Sequence, residues 1–144
     1  MEIVTMGKVL VSAKIENLAD QYASQRGTIP AEQIRFVEAS DALIDTGVTM
    51  LSMPKRLIAQ LGLRRQRTRT ARTSAGTVSF GIYEAVRLTV QGRDCVIEVA
   101  EVPDECPVLI GQVPLEMLDF VVDPVGQQLI GNPAHGGEHM FELY

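Results

Sequence analysis

Short apolar runs rich in β-branched residues recur along this chain, and each gives way within a few residues to glycine, proline or another turn former. Residues 7–15 partly alternate between apolar and polar, and residues 80–90 and 95–102 flank a polar turn that contains Gly92. Such runs favour strands, and a polar turn between two of them favours a hairpin. Further strand-like runs are at residues 34–37, 42–44, 108–111, 120–122 and 128–130. The pattern predicts a mostly β single domain.

Only short segments have helical character. Residues 53–62 contain Pro54, which suits a first helical turn, and end at Gly62, which suits a helix stop. Ser52 is the expected N-cap of this helix. Residues 114–118 are long enough for one further helical turn.

Two polar stretches lack a periodic apolar pattern. Residues 16–33 include Gly27 and Pro30, and residues 131–139 hold three glycines and a proline. Glycine and proline at this density are typical of irregular connections. We therefore expect a loop or long hairpin connection in the first stretch and a loose tail in the second.

Length and composition limit the class of protein. The chain has 144 residues, of which 46% are hydrophobic and 22% charged, values typical of one globular domain and not of a disordered chain. No apolar run approaches the roughly 18 residues that a membrane span needs. The first residues lack the apolar core of a secretion signal, so we expect a cytoplasmic protein in which Cys95 and Cys106 are reduced thiols.

Basic residues are concentrated in one segment. Seven of the 13 lysines and arginines lie between Lys55 and Arg72, although the chain carries a net charge of −5. Residues 64–72 therefore form a solvated basic loop, a guide for acidic substrates, or a nucleic-acid patch. The overall acidity and the lack of aromatic residues among the arginines argue against nucleic acid.

An acidic residue directly follows a fully apolar run. Ala42-Leu43-Ile44 reads as a strand buried on both faces, and Asp45-Thr46-Gly47 comes next. Glycine permits a tight turn that brings backbone amides near the carboxylate, which would hold a functional acid rigidly. The residues alone leave a second interpretation open, in which Asp45 is a surface acid that opens the turn before the helix.

A family resemblance bears on this choice. Residues 42–54, Ala-Leu-Ile-Asp-Thr-Gly-Val-Thr-Met-Leu-Ser-Met-Pro, resemble the catalytic strand of retroviral-type (retropepsin-like, clan AA) aspartic proteases, especially their small bacterial relatives. Val108-Leu109-Ile110-Gly111, followed by a short helix at 113–118, is similar to their second signature. The Ser74-Ala75-Gly76 turn lies where the family has the tip of its flap. The resemblance extends from about residue 7 to residue 130, and we expect a domain at 1–131 and a C-terminal tail at 132–144.

The resemblance implies an all-β, closed acid-protease barrel with one or two short helices, and an endopeptidase activity without a cofactor. Members of this length carry one Asp-Thr-Gly each, so the implied active site is an Asp45 pair at a homodimer axis that acts on a polypeptide substrate. Thr46 and Gly47 would support the site and grip the dimer. Leu109, Ile110 and Gly111 would form the strand beside the catalytic loop, and Val48 and Thr49 would line the substrate channel.

The sequence departs from the family pattern at three positions. Val48 replaces the usual alanine or serine and narrows the expected channel. Thr49 and Gln112 stand where viral members carry an acid and an arginine, so we expect a neutral contact between them in place of an ion pair. These departures motivate an alternative, a non-catalytic dimeric peptide-binding module on the same fold.

A metal site is the remaining motif-level alternative. His135 and His139 have the spacing of two ligands on one helical face, but two glycines lie between them and no third ligand is evident. We therefore predict no metal.

Overall fold

The computed structural model describes residues 8–140, which form nine strands, three α-helices and two single-turn 3₁₀ helices. The elements in chain order are β1 (Val9–Asn17), α1 (Leu18–Gln25), a 3₁₀ turn (Ala31–Gln33), β2 (Phe36–Ile44), β3 (Leu51–Pro54), α2 (Lys55–Leu61), β4 (Arg65–Thr73), β5 (Gly76–Val90), β6 (Arg93–Val102), β7 (Leu109–Ile110), α3 (Gln112–Leu118), β8 (Phe120–Asp123), β9 (Gln128–Gly131) and a 3₁₀ turn (Pro133–His135). The predicted mostly β class is confirmed. No helix within the described residues has the length and apolar character to span a bilayer.

Six strands close into a barrel in the order β1–β2–β7–β3–β6–β5, and β5 pairs back with β1 from Val86 to Thr89. The β2–β7 and β3–β6 pairs are parallel, and the other pairs are antiparallel. β4 continues the sheet outward from β5. β7 thus lies between β2 and β3, two strands that follow each other along the chain, and the ends of β2 and β7 meet at one place.

The core fills the inside of this barrel. Every second residue of β1 points inward, from Val9 through Val11 and Ala13 to Ile15, and none of these is more than 8% exposed. Leu51 on β3 is fully buried, and burial of a side chain of this size stabilises the fold by about 1.5–3 kcal/mol. The strands around the barrel therefore have a strongly enforced register, because a slip by one residue would turn this inward set to solvent.

The loop predicted at residues 16–33 is wrong, because this stretch contains α1. The side chain of Asn17 accepts a hydrogen bond from the Asp20 N–H at 3.0 Å, which caps the helix, and donates to the Leu61 carbonyl at 2.8 Å. Asp20 also accepts three hydrogen bonds from Arg35, two of them from the guanidinium, and these lower the pKa of Asp20 despite its burial. Capping and this ion pair hold a helix that has almost no apolar face.

The helix predicted at residues 53–62 is α2, with a later start. Ser52 is buried within β3 and does not cap it, and Pro54 in extended conformation precedes the first turn instead. Gly62 ends the helix with φ +67°, the left-handed conformation that glycine adopts most easily.

The segment after β9 packs against the barrel, in contrast to the loose tail expected for residues 131–139. Asp119, which is buried, accepts hydrogen bonds from the Asn132 side chain at 3.2 Å and the Met140 N–H at 3.1 Å, and it pairs with His135 at 2.7 Å. The Arg93 guanidinium also donates to the Gly137 carbonyl. These groups attach residues 132–140 to the domain, and the predicted domain boundary at residue 131 stays a prediction.

Candidate active site

Asp45 lies directly after β2, where the chain leaves the barrel. Its N–H donates to the Ile110 carbonyl at 3.0 Å, so the residue remains joined to β7. Its carboxylate Oδ1 accepts the Gly47 N–H at 3.0 Å, and its carbonyl accepts the Val48 N–H at 3.1 Å. Asp45 is half-buried and Thr46 and Gly47 are exposed. The buried strand and the glycine turn together fix one carboxylate at the surface.

The Asp45 carboxylate makes no ion pair and no hydrogen bond other than that from Gly47 within residues 8–140. By contrast, Asp20, Glu98 and Glu101 are each paired with an arginine. A general base needs lone pairs that the protein has not already used. The geometry therefore leaves Asp45 available to a water or a substrate.

Gly111 fixes the position of the Asp45 turn from the other side. β7 pairs with β2 in parallel, with Leu109 beside Leu43 and Ile110 beside Ile44. The Gly111 N–H donates to the Met50 carbonyl at 3.0 Å.

A Cβ atom on Gly111 would lie 2.4 Å from the Val48 carbonyl oxygen and 2.5 Å from that of Met50. Only glycine allows this close approach, and the predicted neighbourhood of Leu109, Ile110 and Gly111 with the Asp45 loop is what the structure has.

The chain that follows Asp45 is held to α3 through the backbone. The Gln112 N–H donates to the Val48 carbonyl at 2.7 Å, and the Val113 N–H donates to the Thr49 carbonyl at 3.0 Å. The described residues contain no side-chain hydrogen bond between Thr49 and Gln112, the neutral contact expected from the sequence, and the Gln112 side chain bonds to Glu116 at 3.1 Å instead. Val48 is half-buried and Thr49 exposed, and their role in a substrate channel stays a prediction.

The predicted hairpin around Ser74, Ala75 and Gly76 is present and projects from the barrel. β4 and β5 pair from Arg65 to Thr73, and Ser74 and Ala75 form the exposed turn. Gly76 has φ +119°, and the Thr73 hydroxyl donates to its carbonyl at 2.8 Å. β5 pairs with β6 only from Ile82 onward. Residues 68–81, here called the outer hairpin, thus extend beyond the rest of the sheet.

Glu101 anchors the base of this hairpin, a role that the sequence analysis did not assign. It accepts hydrogen bonds from the Gly81 N–H at 2.7 Å, the Arg65 guanidinium at 2.9 Å and the Tyr83 hydroxyl at 3.1 Å. Burial opposes the charged form, but these donors and the nearby Lys55 outweigh it and lower the pKa of Glu101. The sequence held one signal for this contact, because the acidic residues of β6 come later in the chain than the arginines of β4 and offer them partners of opposite charge. The basic segment is accordingly a strand, and not the loop expected at residues 64–72.

The remaining candidate residues serve the fold. No cluster of three potential metal ligands occurs between residues 8 and 140. His135 pairs with Asp119, and the His139 ring lies 3.1 Å from the Met117 carbonyl oxygen. Cys95 and Cys106 are both free, and burial raises the pKa of Cys95 to about 11.

A barrel with a short strand inserted between β2 and β3, an Asp-Thr-Gly turn at their junction and a projecting hairpin define a retropepsin-like aspartic protease domain. Residues 37–117 match the model of the gag-polyprotein putative aspartyl protease family. The match spans more than half of the chain and includes Asp45 and Gly111, and the chain belongs to this family. No curated protein matches the chain closely enough to add a relative.

Proposed function

We propose that the protein is an aspartic endopeptidase that works as a homodimer, with Asp45 from each copy forming the catalytic pair. The observation that carries the proposal is the Asp45 carboxylate itself, fixed by the Gly47 N–H and by β7 yet free of any cationic partner in the described part of the chain. An acid held in this way contributes no ion pair to the fold, and its free lone pairs remain available to a water molecule or a substrate.

The chemistry needs a second carboxylate. Two carboxylates about 3 Å apart cannot both ionise easily, and they share one proton, as in aspartic proteases generally. The ionised Asp45 takes a proton from a water molecule, which attacks the peptide carbonyl. The protonated Asp45 donates to the carbonyl oxygen, which gives a tetrahedral diol. The Asp45 that took the water proton then passes it to the amide nitrogen, the C–N bond breaks, and the other Asp45 takes a proton from a diol hydroxyl, which leaves a carboxylic acid and a free amine.

The sequence supports dimerisation because it has one Asp-Thr-Gly and no Asp-Ser-Gly. A two-fold axis through the exposed Thr46–Gly47 turn would bring the two copies of Asp45 together, and isologous pairing is the commonest form of oligomer. Thr46 is then the residue whose hydroxyl faces the partner. The outer hairpin of each copy would close over an extended polypeptide and exclude water during the reaction.

The test replaces Asp45 with asparagine, which keeps the shape and removes the charge. Asp41→Asn is the matched control, because Asp41 is an exposed acid on β2, the strand that leads to Asp45. Cleavage of a reduced, unfolded protein is followed between about pH 4 and pH 7, a range that begins near the ordinary carboxyl pKa values and extends to neutrality. We expect D45N to lose at least about 1,000-fold in rate, as removal of an essential catalytic group commonly does. D41N should retain the wild-type rate.

Equal cleavage by wild type and D45N would refute the role of Asp45. The oligomeric requirement is tested on the active proteins, wild type and D41N. Their activity per protomer should rise with protein concentration until the dimer is saturated. A fully active monomer would contradict the shared site.

A second candidate function is a dimeric peptide-binding module without catalysis. Val48 favours it, because its half-buried side chain stands next to Asp45 where the family usually has alanine or serine. This candidate predicts that wild type shows no turnover and that the Asp45→Ala variant binds peptides as tightly as wild type does.

A further inference from the structure

The arginines of residues 64–72 fall into two groups, those that form an ion pair and those that do not. At the base of the hairpin, Arg64 pairs with Glu84 at 3.3 Å, Arg65 pairs with Glu101, and Arg67 makes two hydrogen bonds to Glu98. Their positive charges are locally compensated. The basic character read from the sequence is therefore largely used within the fold.

Arg69 and Arg72 are different. Both are exposed, and neither has an ion pair or a hydrogen-bonded acid within residues 8–140. They are the sole charged residues in the sequence of the outer hairpin, residues 68–81. The hairpin that the proposed function places over the substrate thus carries two positive charges without an ion pair, on a chain whose net charge is −5.

The two arginines point to opposite faces of the ribbon. The register between Arg67 and Thr73 is regular, so side chains alternate, and Arg69 shares the face of Arg67 whereas Arg72 lies on the other. The charge of Arg69 also lowers the pKa of Glu98 on β6 to a small extent. Arg69 therefore lies on the face of the sheet that carries the Arg67–Glu98 pair. In each copy, one of the two faces the cleft whichever face the hairpin turns to the substrate.

We propose that the outer hairpin selects polypeptide segments that carry Asp or Glu next to the cleaved bond, and that Arg69 and Arg72 are the residues that determine this specificity. The inference rests on the proposed function and names its substrate class. A carboxylate is the side-chain group that an arginine binds best in a peptide, through two parallel hydrogen bonds. Nucleic acid is disfavoured because its affinity depends on many phosphate contacts, and the outer hairpin of each copy offers two arginines without an ion pair.

The expected size of the preference is moderate. An exposed ion pair contributes up to about 1 kcal/mol, which corresponds to a roughly fivefold change in kcat/KM. The effect should weaken as salt rises, because exposed charges are screened.

The experiment compares wild type with the double variant Arg69→Gln, Arg72→Gln. Its control is Lys8→Gln, Arg26→Gln, which removes the same two charges at exposed positions outside the hairpin. Each protein digests a synthetic peptide library with a randomised central segment, and mass spectrometry records the residues around every cut. A second measurement uses fluorescence anisotropy of the D45N variant, with and without the hairpin substitutions, on a labelled Glu-rich peptide and its Gln-rich counterpart.

We expect acids to be enriched around the wild-type and control cuts, and the enrichment to fall by up to about fivefold in the hairpin variant. Equal enrichment in the two double variants, or none in wild type, would overturn the proposal. Absence of all cleavage would instead refute the proposed function, and anisotropy then decides the specificity. Equal affinity for the two peptides counts against it. The proposal also fails if the hairpin variant keeps the wild-type cut profile but loses binding to a single-stranded oligonucleotide, because the two arginines would then serve nucleic acid and not peptide specificity.

Discussion

Alanine at Gly111 tests whether the approach of β7 to the Asp45 turn organises the candidate site. A Cβ there would lie 2.4 Å from the Val48 carbonyl oxygen, 2.5 Å from that of Met50 and 2.8 Å from the carbonyl carbon of Thr49. All three atoms belong to the backbone, so no side chain can rotate away. The strand or the turn must move.

The magnitude follows from two contributions. Overpacking in a buried region costs about 1–3 kcal/mol. Displacing the turn also weakens the hydrogen bonds that Gly111 and Gln112 donate to Met50 and Val48, at about 0.5–1.5 kcal/mol each. We therefore expect a loss of about 2–6 kcal/mol, a large share of the roughly 5–15 kcal/mol that stabilises a typical domain.

The assay is urea unfolding at one fixed protein concentration, with the free energy of unfolding taken by linear extrapolation. Gly126→Ala is the matched control. Its Cβ would first meet the Asp123 carboxylate in the exposed turn between β8 and β9, and this side chain can move. G126A should change the free energy by less than about 1 kcal/mol. If G111A is equally mild, the close approach does not organise the site and the reasoning fails.

Two further predictions concern pH and thiol reactivity. Hydrogen bonding from His135 lowers the pKa of Asp119 from its ordinary value of 3.8, so the stability it contributes is present above that value and is lost as pH falls through the lower folded pKa; urea midpoints measured downward from neutral pH should fall less in Asp119→Asn than in wild type, and parallel curves would contradict this. Cys95 is buried with a pKa raised to about 11, so only about 0.1% is thiolate near pH 8. Peptide mapping after brief iodoacetamide treatment should find the label on Cys106 and little on Cys95, and equal labelling would argue against a closed core at Cys95.

Strands could be predicted from the sequence because their signal is local. The alternation of residues 7–15 corresponds to the observed β1, and the turn at Gly92 corresponds to the β5–β6 hairpin. α1 was missed because its residues form no buried apolar stripe, and only the polar Asp20 is buried. What forms it is the Asn17 cap and the distant Arg35, and a partner 15 residues away is not visible in a periodic pattern.

The candidate site was partly readable and partly not. The Asp-Thr-Gly turn, the Ile110–Gly111 strand and the Gly76 hairpin could be found because a family resemblance fixed their order. The insertion of β7 between β2 and β3, on which their proximity depends, is a long-range pairing that composition and periodicity cannot express. The division of the arginines into those with and those without an ion pair likewise depends on two long-range registers, that of β4 against β5 and that of β5 against β6.

Asp45 and Gly111 act together to fix the position of the candidate carboxylate. Gly111 lets β7 come close enough for Ile110 to accept the Asp45 N–H, and the Gly47 turn then aims the carboxylate outward. This arrangement places a rigid acid on the outside of a closed barrel, and no second acid is hydrogen-bonded to it within residues 8–140. Under the proposed function, which needs two carboxylates that share a proton, one copy of the chain supplies half of the centre. That is the physical reason to expect a second copy of the chain on the other side of the Thr46–Gly47 turn.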